Sequence, residues 1–198
     1  MRLLAAILTL SGMLYGAHRS HRFLVGGRFW LKFALVVTAV CTGPMAYGQS
    51  PAAWWAATDG SQRARAAIVY KVGVEHGDKG HTAVAIYSME SSLGADTDHN
   101  EPSYGACGLS EVALLDLGYG SAVFDSLRQG SLGLERETII ALEYFALVEG
   151  RLRNLGFSPR EAWFWSYPRY NAGKNWQNFK RRGEVFNARV KFLKEQFR

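Results

Sequence analysis

Cysteine is scarce in this sequence, which contains only Cys41 and Cys107. Cys41 lies in an N-terminal segment that we expect to be a leader, and it lacks the small preceding residue that a lipoprotein signal requires. Cys107 is then the only thiol of the remaining chain, so an internal disulfide is excluded and the fold must depend on an apolar core. A lone cysteine beside glycines is interpreted as a small packed residue.

Acidic residues are missing from the first 48 positions, which carry five of the 23 basic side chains. The rest of the chain holds 18 basic and 17 acidic side chains and is therefore nearly neutral. A broad surface that tracks phosphates is not expected, so no nucleic-acid partner is predicted. The short basic run Lys180-Arg181-Arg182 could equally meet anionic wall polymers.

Neither apolar run near the N-terminus reaches the roughly 18 to 20 residues that span a bilayer. Residues 1–48 combine a basic stretch, a short apolar run and small residues at Ala46 and Gly48, which is typical of a cleaved export signal. An uncleaved membrane anchor is the alternative, since a second apolar stretch occupies residues 3–14. In either case we expect residues 49–198 to form one exported domain, periplasmic or secreted.

Alternating strand patterns, internal repeats and low-complexity tracts are also missing, whereas helical periodicity recurs. The spacing predicts helices over residues 61–76, 82–90, 109–117, 135–155 and 184–197. The sequence Ser158-Pro159-Arg160-Glu161 predicts the start of another helix, which Pro168 should break. Residues 94–108 are rich in glycine and polar side chains and predict a loop. The predicted fold class is all-α or nearly so, in a single domain.

Three of these helices carry predictions about their buried faces. The apolar residues of the first are Ala64, Ala67, Ile68, Val72 and Val74, and the long helix has Leu155 on its inner side. The tail has an apolar stripe from Val185 to Phe197, with Arg189, Lys191 and Lys194 outside it. We expect this tail to pack on the domain's own core; membrane binding is the alternative.

Three short motifs follow one another along the chain: Met89-Glu90-Ser91 at the end of an apolar helix, Gly105-Ala106-Cys107-Gly108-Leu109, and Tyr170-Asn171-Ala172-Gly173. Together they resemble the lytic transglycosylase family of the lysozyme-like superfamily. That family combines a Glu-Ser pair at the end of a buried helix with Gly-Ala-x-Gly-Leu-x-Gln and Ala-Tyr-Asn-Ala-Gly segments. The resemblance covers about residues 64–192 and implies a lysozyme-like fold with a central cleft for the glycan strands of peptidoglycan.

Glu90 is the candidate catalytic residue. Glycoside cleavage needs a proton on the leaving oxygen, and a carboxyl supplies it near neutral pH only where burial raises its pKa. The resemblance implies that Glu90 acts first as acid and then as base at the MurNAc–GlcNAc β-1,4 bond. The N-acetyl group assists, and the C6 hydroxyl closes a 1,6-anhydro ring. Taken alone, a glutamate at a helix end would be interpreted as a solvated carboxylate.

The resemblance also implies a set of residues that line the cleft, with the Tyr170 hydroxyl near Glu90 and Asn171 orienting sugar or backbone. The set comprises Ser91, Gly108, Leu109, Glu111, Tyr144, Tyr170 and Asn171. A turn motif is the alternative for Tyr170-Asn171, and core packing is the alternative for Tyr144. The aromatic residues Trp163, Trp165 and Trp176 could stack on sugar rings or fill the core.

Two substitutions depart from the family pattern. Glu111 stands where the family has glutamine, and an ionised glutamate accepts hydrogen bonds but cannot donate them. Hydrolysis by water, with Glu111 as second carboxylate, therefore stays open. The other loop acids, Asp96, Asp98 and Glu101, are expected to be exposed. Pro168-Arg169 replaces a small apolar pair, so we expect sugar subsites that differ from those of the family.

No metal or other cofactor is predicted. The segment Asp96-x-Asp98-x-Asn100 begins like a calcium loop, but Glu101 and Cys107 stand where the loop needs a glycine and a bidentate acid. The histidines also lack the spacing of a zinc site: His76, His81 and His99 have no i, i+4 pair and no nearby cysteine or acid cluster.

Peptidoglycan glycan strands are the expected partner, bound by a monomer. Small members of the family are often exported by conjugation, secretion or pilus systems, so such machinery is a further candidate partner, although fold-level analogy does not establish it. The alternative function is a non-catalytic wall-binding assembly protein. Glu90 is the feature that favours the enzyme.

Overall fold

The structure is a computed structural model that describes residues 49–94 and 103–197, and it is mainly helical, as predicted from the sequence. The predicted leader and the loop acids Asp96, Asp98 and Glu101 lie outside the described residues. The helices are α1 (Pro51–Ala56), α2 (Gly60–Glu75), α3 (Gly80–Glu90), α4 (Glu111–Asp116), α5 (Ser121–Arg128), α6 (Leu134–Asn154), α7 (Pro159–Ala172), a 3-10 helix (Gly173–Phe179) and α8 (Lys180–Gln196).

Helix α3 lies at the centre of the fold and packs against α2, α6 and α8. Its residues 83–89 are all buried, which matches a helix that is small or apolar on every side. The close approach of α2 requires glycine, because a Cβ on Gly73 would lie 2.7 Å from the Cα of Gly80. Helix α3 therefore runs through the core and ends in the carboxyl group of Glu90.

A two-stranded hairpin follows the gap after α3. Strands β1 (Ser103–Tyr104) and β2 (Leu109–Ser110) are antiparallel, with Tyr104 opposite Leu109. Residues 105–108 form the turn between them. The sequence predicts a loop here, because strands of two residues are too short to produce an alternating pattern. Helix α4 starts directly after β2, with the Ser110 hydroxyl accepting from the amide of Ala113.

Helix α7 begins with the predicted capping box, formed by Ser158 and Glu161, but the predicted break at Pro168 is wrong. The helix continues to Ala172 with Pro168 inside it. A proline has no N–H to donate to the carbonyl of Phe164, four residues earlier. That carbonyl instead faces α8 at Gly183, where a Cβ would lie 3.0 Å from its oxygen. Tertiary packing around Phe164 thus accommodates the proline.

The buried face of α2 also differs from the prediction. Ala66, Val69, Val72 and Gly73 are buried, whereas Ile68 is 45% exposed. Alanines lie on more than one side of this helix, so apolarity alone does not select the face, and the contact of its small residues with α3 decides it. The prediction that Leu155 lies on the inner side of the long helix α6 is also wrong. Leu155 lies beyond the last residue of that helix, Asn154, and is 64% exposed.

The C-terminal helix α8 packs on α1, α3 and α7, so the expectation that the tail packs on its own core is confirmed. Phe186, Val190 and Leu193 are buried in that core. The placement of Arg189 outside the apolar stripe is wrong, because its side chain is completely buried. Over the described ranges, every helix is too short or too polar to cross a bilayer.

Candidate active site

Glu90 is the last residue of α3, and the chain turns sharply after it. The amides of Ser91 and Leu93 both donate to the carbonyl of Tyr87, and Leu93 has a φ of 63°. The Ser91 hydroxyl donates to the carbonyl of Ala106 at 2.6 Å and accepts from the amide of Gly94 at 2.8 Å. Ser91 is buried, and its hydroxyl joins α3 to the hairpin turn.

The hairpin turn packs directly on the Glu90 carboxyl through Gly108. A Cβ at Gly108 would lie 2.6 Å from Oε2 of Glu90, and the φ of 67° also favours glycine. Gly108 therefore lies against the Glu90 carboxyl, whereas the side chain of Leu109 is buried in the core.

Both backbone groups of Cys107 are held by side chains from other helices. The Cys107 amide donates to Oε1 of Glu137 on α6 at 2.8 Å. Its carbonyl accepts from the hydroxyl of Tyr170 on α7 at 2.8 Å. The Cys107 side chain is buried, as expected for a packed residue. These two anchors position the turn, and through Gly108 they define one wall of the Glu90 site.

Helix α7 supplies both side chains that donate hydrogen bonds to Glu90. The hydroxyl of Tyr167 donates to Oε1 at 2.6 Å. Nδ2 of Asn171 lies 3.0 Å from Oε1 and 3.1 Å from Oε2. The two residues are four apart, so they share one face of the helix. Phe186 of α8 stacks on the Tyr167 ring at 4.7 Å with the rings 5° from parallel, which restricts the tyrosine to this position.

Burial raises the pKa of Glu90 from its ordinary value to about 7. The hydrogen bonds from Tyr167 and Asn171 oppose that shift, as does the positive charge of Arg182, because all three favour the ionised carboxylate. Desolvation is the largest effect. Glu90 nevertheless keeps partial exposure as a residue, and its carboxyl, with a pKa of about 7, is close to half protonated at neutral pH.

Tyr170 lies near Glu90 but does not donate to it. Its hydroxyl is bound to the Cys107 carbonyl, and burial first, then the charges of Cys107 and Glu90, raise its pKa well above the ordinary value. The expectation that the Tyr170 hydroxyl lies near Glu90 therefore does not extend to a hydrogen bond, since Tyr167 is the tyrosine that donates to Glu90. Tyr144 is partly buried and packs on the Tyr170 ring at 5.3 Å, one layer away from Glu90.

Glu111 is not among the hydrogen-bond partners of Glu90. It is the first residue of α4, and its side chain is exposed to solvent and makes no hydrogen bond or ion pair with any other described residue. The tryptophans divide as follows: Trp176 is buried in a small cluster with Val148 and Leu152, whereas Trp163 and Trp165 are partly buried.

Three residues near Glu90 are missing from the sequence-based set: Tyr167, Glu137 and Arg182. The i, i+4 spacing of Tyr167 and Asn171 could have indicated the first, had α7 been extended past Pro168. No local pattern indicates Glu137 or Arg182, because both act on the site from other helices.

Comparison with known proteins identifies no relative: no family model, no curated protein and no solved structure matches the chain. Inferences about function therefore rest on the geometry and chemistry around Glu90.

Proposed function

We propose that this protein is an exported lytic transglycosylase with a lysozyme-like domain, which cleaves the MurNAc–GlcNAc β-1,4 bonds of peptidoglycan. The observation that carries the proposal is the state of Glu90. Glu90 lies at the end of a buried helix, is partly exposed as a residue and has a carboxyl pKa of about 7. A general acid works best when its pKa lies near the working pH.

In the first step, the protonated Glu90 transfers its proton to the glycosidic oxygen while the bond between that oxygen and the sugar C1 breaks. The N-acetyl group of the same sugar supports the positive charge that develops at C1. Glu90 becomes a carboxylate in this step. Tyr167 and Asn171 already donate hydrogen bonds to its oxygens, so the ionised form requires no rearrangement of the site.

In the second step, the Glu90 carboxylate takes a proton from the C6 hydroxyl of the sugar, whose oxygen attacks C1 and closes the 1,6-anhydro ring. The same carboxyl is then protonated again and ready for another cycle. This sequence needs no second carboxylate. It fits a site where the described residues place tyrosine and asparagine, rather than an acid, against Glu90.

Products distinguish this reaction from hydrolysis. Purified peptidoglycan would be incubated with the purified protein, and the soluble fragments would be identified by mass spectrometry. Anhydro-muropeptides are the expected products. Reducing muropeptides would instead favour a hydrolase and direct attention to Glu111, which a Glu111→Gln variant would test.

The Glu90→Gln variant is the matched control. An amide keeps the size of the side chain but cannot donate the proton, so we expect activity to fall by about two to four decades with the fold retained. Unchanged turnover would contradict the assignment of Glu90. Binding to peptidoglycan without release of fragments by the wild type would favour the alternative, a non-catalytic wall-binding protein.

A further inference from the structure

One face of α8 supports the Glu90 site at two points. Phe186 stacks on the ring of Tyr167, whose hydroxyl donates to Glu90. Arg189, three residues after Phe186, lies on the same face of α8 and is completely buried. Its Nη1 donates to the carbonyl of Ser88 at 2.6 Å and to the Ser88 hydroxyl at 2.8 Å. Ser88 precedes Glu90 by two residues, so Arg189 binds the last turn of the helix that carries the carboxyl.

The Ser88 carbonyl is one of the groups that the end of a helix leaves without a backbone donor. In a continuing helix the amide of Ser92 would donate to it, but Ser92 has a left-handed φ of 49° and the chain turns away. The amides on either side of Ser92 both donate to the carbonyl of Tyr87. Arg189 therefore supplies, from α8, the donor that the sharp turn removes from the last turn of α3.

The Arg189 side chain is held by three helices at once. The Ser88 hydroxyl accepts from Nη1 and donates to the carbonyl of Ala85 at 2.7 Å, which fixes the serine in turn. The central carbon of the guanidinium lies 4.7 Å from the centroid of the Trp54 ring on α1. Because a guanidinium is planar, contacts at its edge and on its face restrict its orientation. Arg189 thus links α8, α3 and α1 beside the last turn of α3.

A guanidinium is a costly group to bury for stability alone. Neither of the two Ser88 acceptors is a carboxylate, and an apolar side chain of similar size often packs in a core at lower cost. The positive charge of Arg189 is nevertheless well placed, because free carbonyls give the C-terminal end of a helix a partial negative charge. These properties fit a residue that fixes the end of α3 better than one that only fills the core.

We propose that Arg189 is a positioning residue for Glu90. By holding the Ser88 carbonyl it fixes the last turn of α3, and this sets the Glu90 carboxyl against its donors Tyr167 and Asn171. The inference rests on the proposed function, since it concerns the reaction assigned to that carboxyl. A misplacement of about 1 Å in a reacting group can cost about a hundredfold in rate. Movement of the last turn should therefore lower kcat, with little effect on the binding of the strand.

The Arg189→Met variant tests this role, because methionine fills much of the same space but cannot donate to Ser88. With soluble peptidoglycan strands as substrate, we expect kcat to fall by about tenfold to a hundredfold and KM to change by less than about twofold. Arg189→Lys keeps a charged donor but has one ammonium in place of the planar fork. It should restore part of kcat.

Leu152→Ala is the matched control. Leu152 is as completely buried as Arg189, but it lies in the separate small cluster with Val148 and Trp176. The variant should have a lower melting temperature and keep the kcat and KM of the wild type at temperatures where it is folded. Equal losses of kcat in Arg189→Met and Leu152→Ala at similar stability would overturn the proposal, because Arg189 would then be an ordinary core residue.

Amide hydrogen exchange measured by NMR examines the last turn of α3 without any reaction. The amides of Ser91 and Leu93 donate to the carbonyl of Tyr87 in this turn. Relative to core amides of the same protein, they should exchange about tenfold faster in Arg189→Met and at the wild-type rate in Leu152→Ala. A change in only one of the two quantities, exchange or kcat, would contradict the proposal. If Arg189→Met does not fold, Arg189→Lys decides, and wild-type exchange and kcat in that variant would contradict it.

Failure of the positioning role and failure of the proposed function give different results. If the wild type cleaves no peptidoglycan but exchange at Ser91 and Leu93 is faster in Arg189→Met, the enzyme is wrong and Arg189 still fixes the end of α3. If the wild type releases anhydro-muropeptides and Arg189→Met keeps the wild-type kcat and exchange, the role of Arg189 is wrong and the enzyme stands.

Discussion

At Glu90, desolvation and hydrogen bonding act on one carboxyl in opposite directions. Burial raises its pKa, whereas donors from Tyr167 and Asn171 and the charge of Arg182 lower it. The resulting pKa of about 7 lies well above the ordinary value for glutamate because desolvation is the larger effect. Each donor that is removed should therefore move the pKa further upward.

The Tyr167→Phe variant tests this balance. A general acid is active while protonated, so kcat/KM of the wild type should decrease as the pH rises through about 7, the pKa of Glu90. Losing the tyrosine hydroxyl should shift this decrease upward by about one to two pH units, since a hydrogen bond to a charged group is worth about 1.5–3 kcal/mol. The pH profile of kcat/KM measures the shift.

Tyr170→Phe is the control for that profile. Its hydroxyl donates to the Cys107 carbonyl and not to Glu90, so the variant should lose some stability and leave the midpoint near that of the wild type. A shift in Tyr170→Phe as large as that in Tyr167→Phe would show that the hydrogen bond at Oε1 does not control the pKa of Glu90.

At the level of elements, the hairpin turn between β1 and β2 is as important to the site as the helix that bears Glu90. Glu137 and Tyr170 hold Cys107 from both sides, and this fixes Gly108 against the carboxyl. A Cβ at Gly108 would lie 2.6 Å from Oε2 of Glu90. The contribution of the turn is therefore geometric, and a substitution at Gly108 should affect catalysis more than folding.

Gly108→Ala and Gly118→Ala form a matched pair for this prediction. Both glycines have a positive φ, 67° and 80°, so each alanine should destabilise the protein by about 1–2 kcal/mol. The added Cβ meets open space at Gly118 but overlaps Oε2 of Glu90 at Gly108. We expect kcat/KM to fall by at least about tenfold only in Gly108→Ala. Similar activities of the two variants at similar stability would contradict the packing role of the turn.

For the molecule as a whole, the buried carboxyl of Glu90 opposes stability above about pH 5. A glutamate with a pKa of about 7 in the folded state and an ordinary value in the unfolded state binds more protons when folded between those values. The free energy of unfolding therefore decreases as the pH rises through this window. The full shift corresponds to about 3 kcal/mol, and the partial exposure of Glu90 reduces our expectation to about 2 kcal/mol.

The Glu90→Gln variant should not show this decrease in the free energy of unfolding. Urea denaturation of both proteins at pH 5 and pH 8 would give the free energies of unfolding. Between pH 5 and pH 8 we expect the free energy of unfolding of the wild type to fall by about 2 kcal/mol more than that of the variant, because glutamine has no proton to release. A constant difference between the proteins at both pH values would mean that Glu90 is not desolvated in the fold.

Local chemistry determined several features that can be predicted from the sequence alone. The capping box at Ser158 and the position of Glu90 at the end of an apolar helix follow from patterns within a few residues. The same holds for six of the helices, α2, α3, α4, α6, α7 and α8, whereas α1 and α5 were not predicted. The break predicted at Pro168 is wrong. The carbonyl of Phe164, which the proline leaves without a donor in the helix, lies against Gly183 of α8, and that residue is distant in the sequence. A periodic pattern within one segment does not indicate such a contact with another segment.

Tertiary structure alone decided which side chains meet Glu90. Tyr167 rather than Tyr170 donates to it. The ring of Tyr167 stacks on Phe186, whereas the hydroxyl of Tyr170 donates to the carbonyl of Cys107. Arg189 is buried because Ser88 supplies acceptors for it and the ring of Trp54 lies against its guanidinium. The sequence by itself determined the mainly helical fold and the carboxyl, which depend on local spacing. The partners of that carboxyl depend on how distant helices pack, and that is not encoded in any short segment.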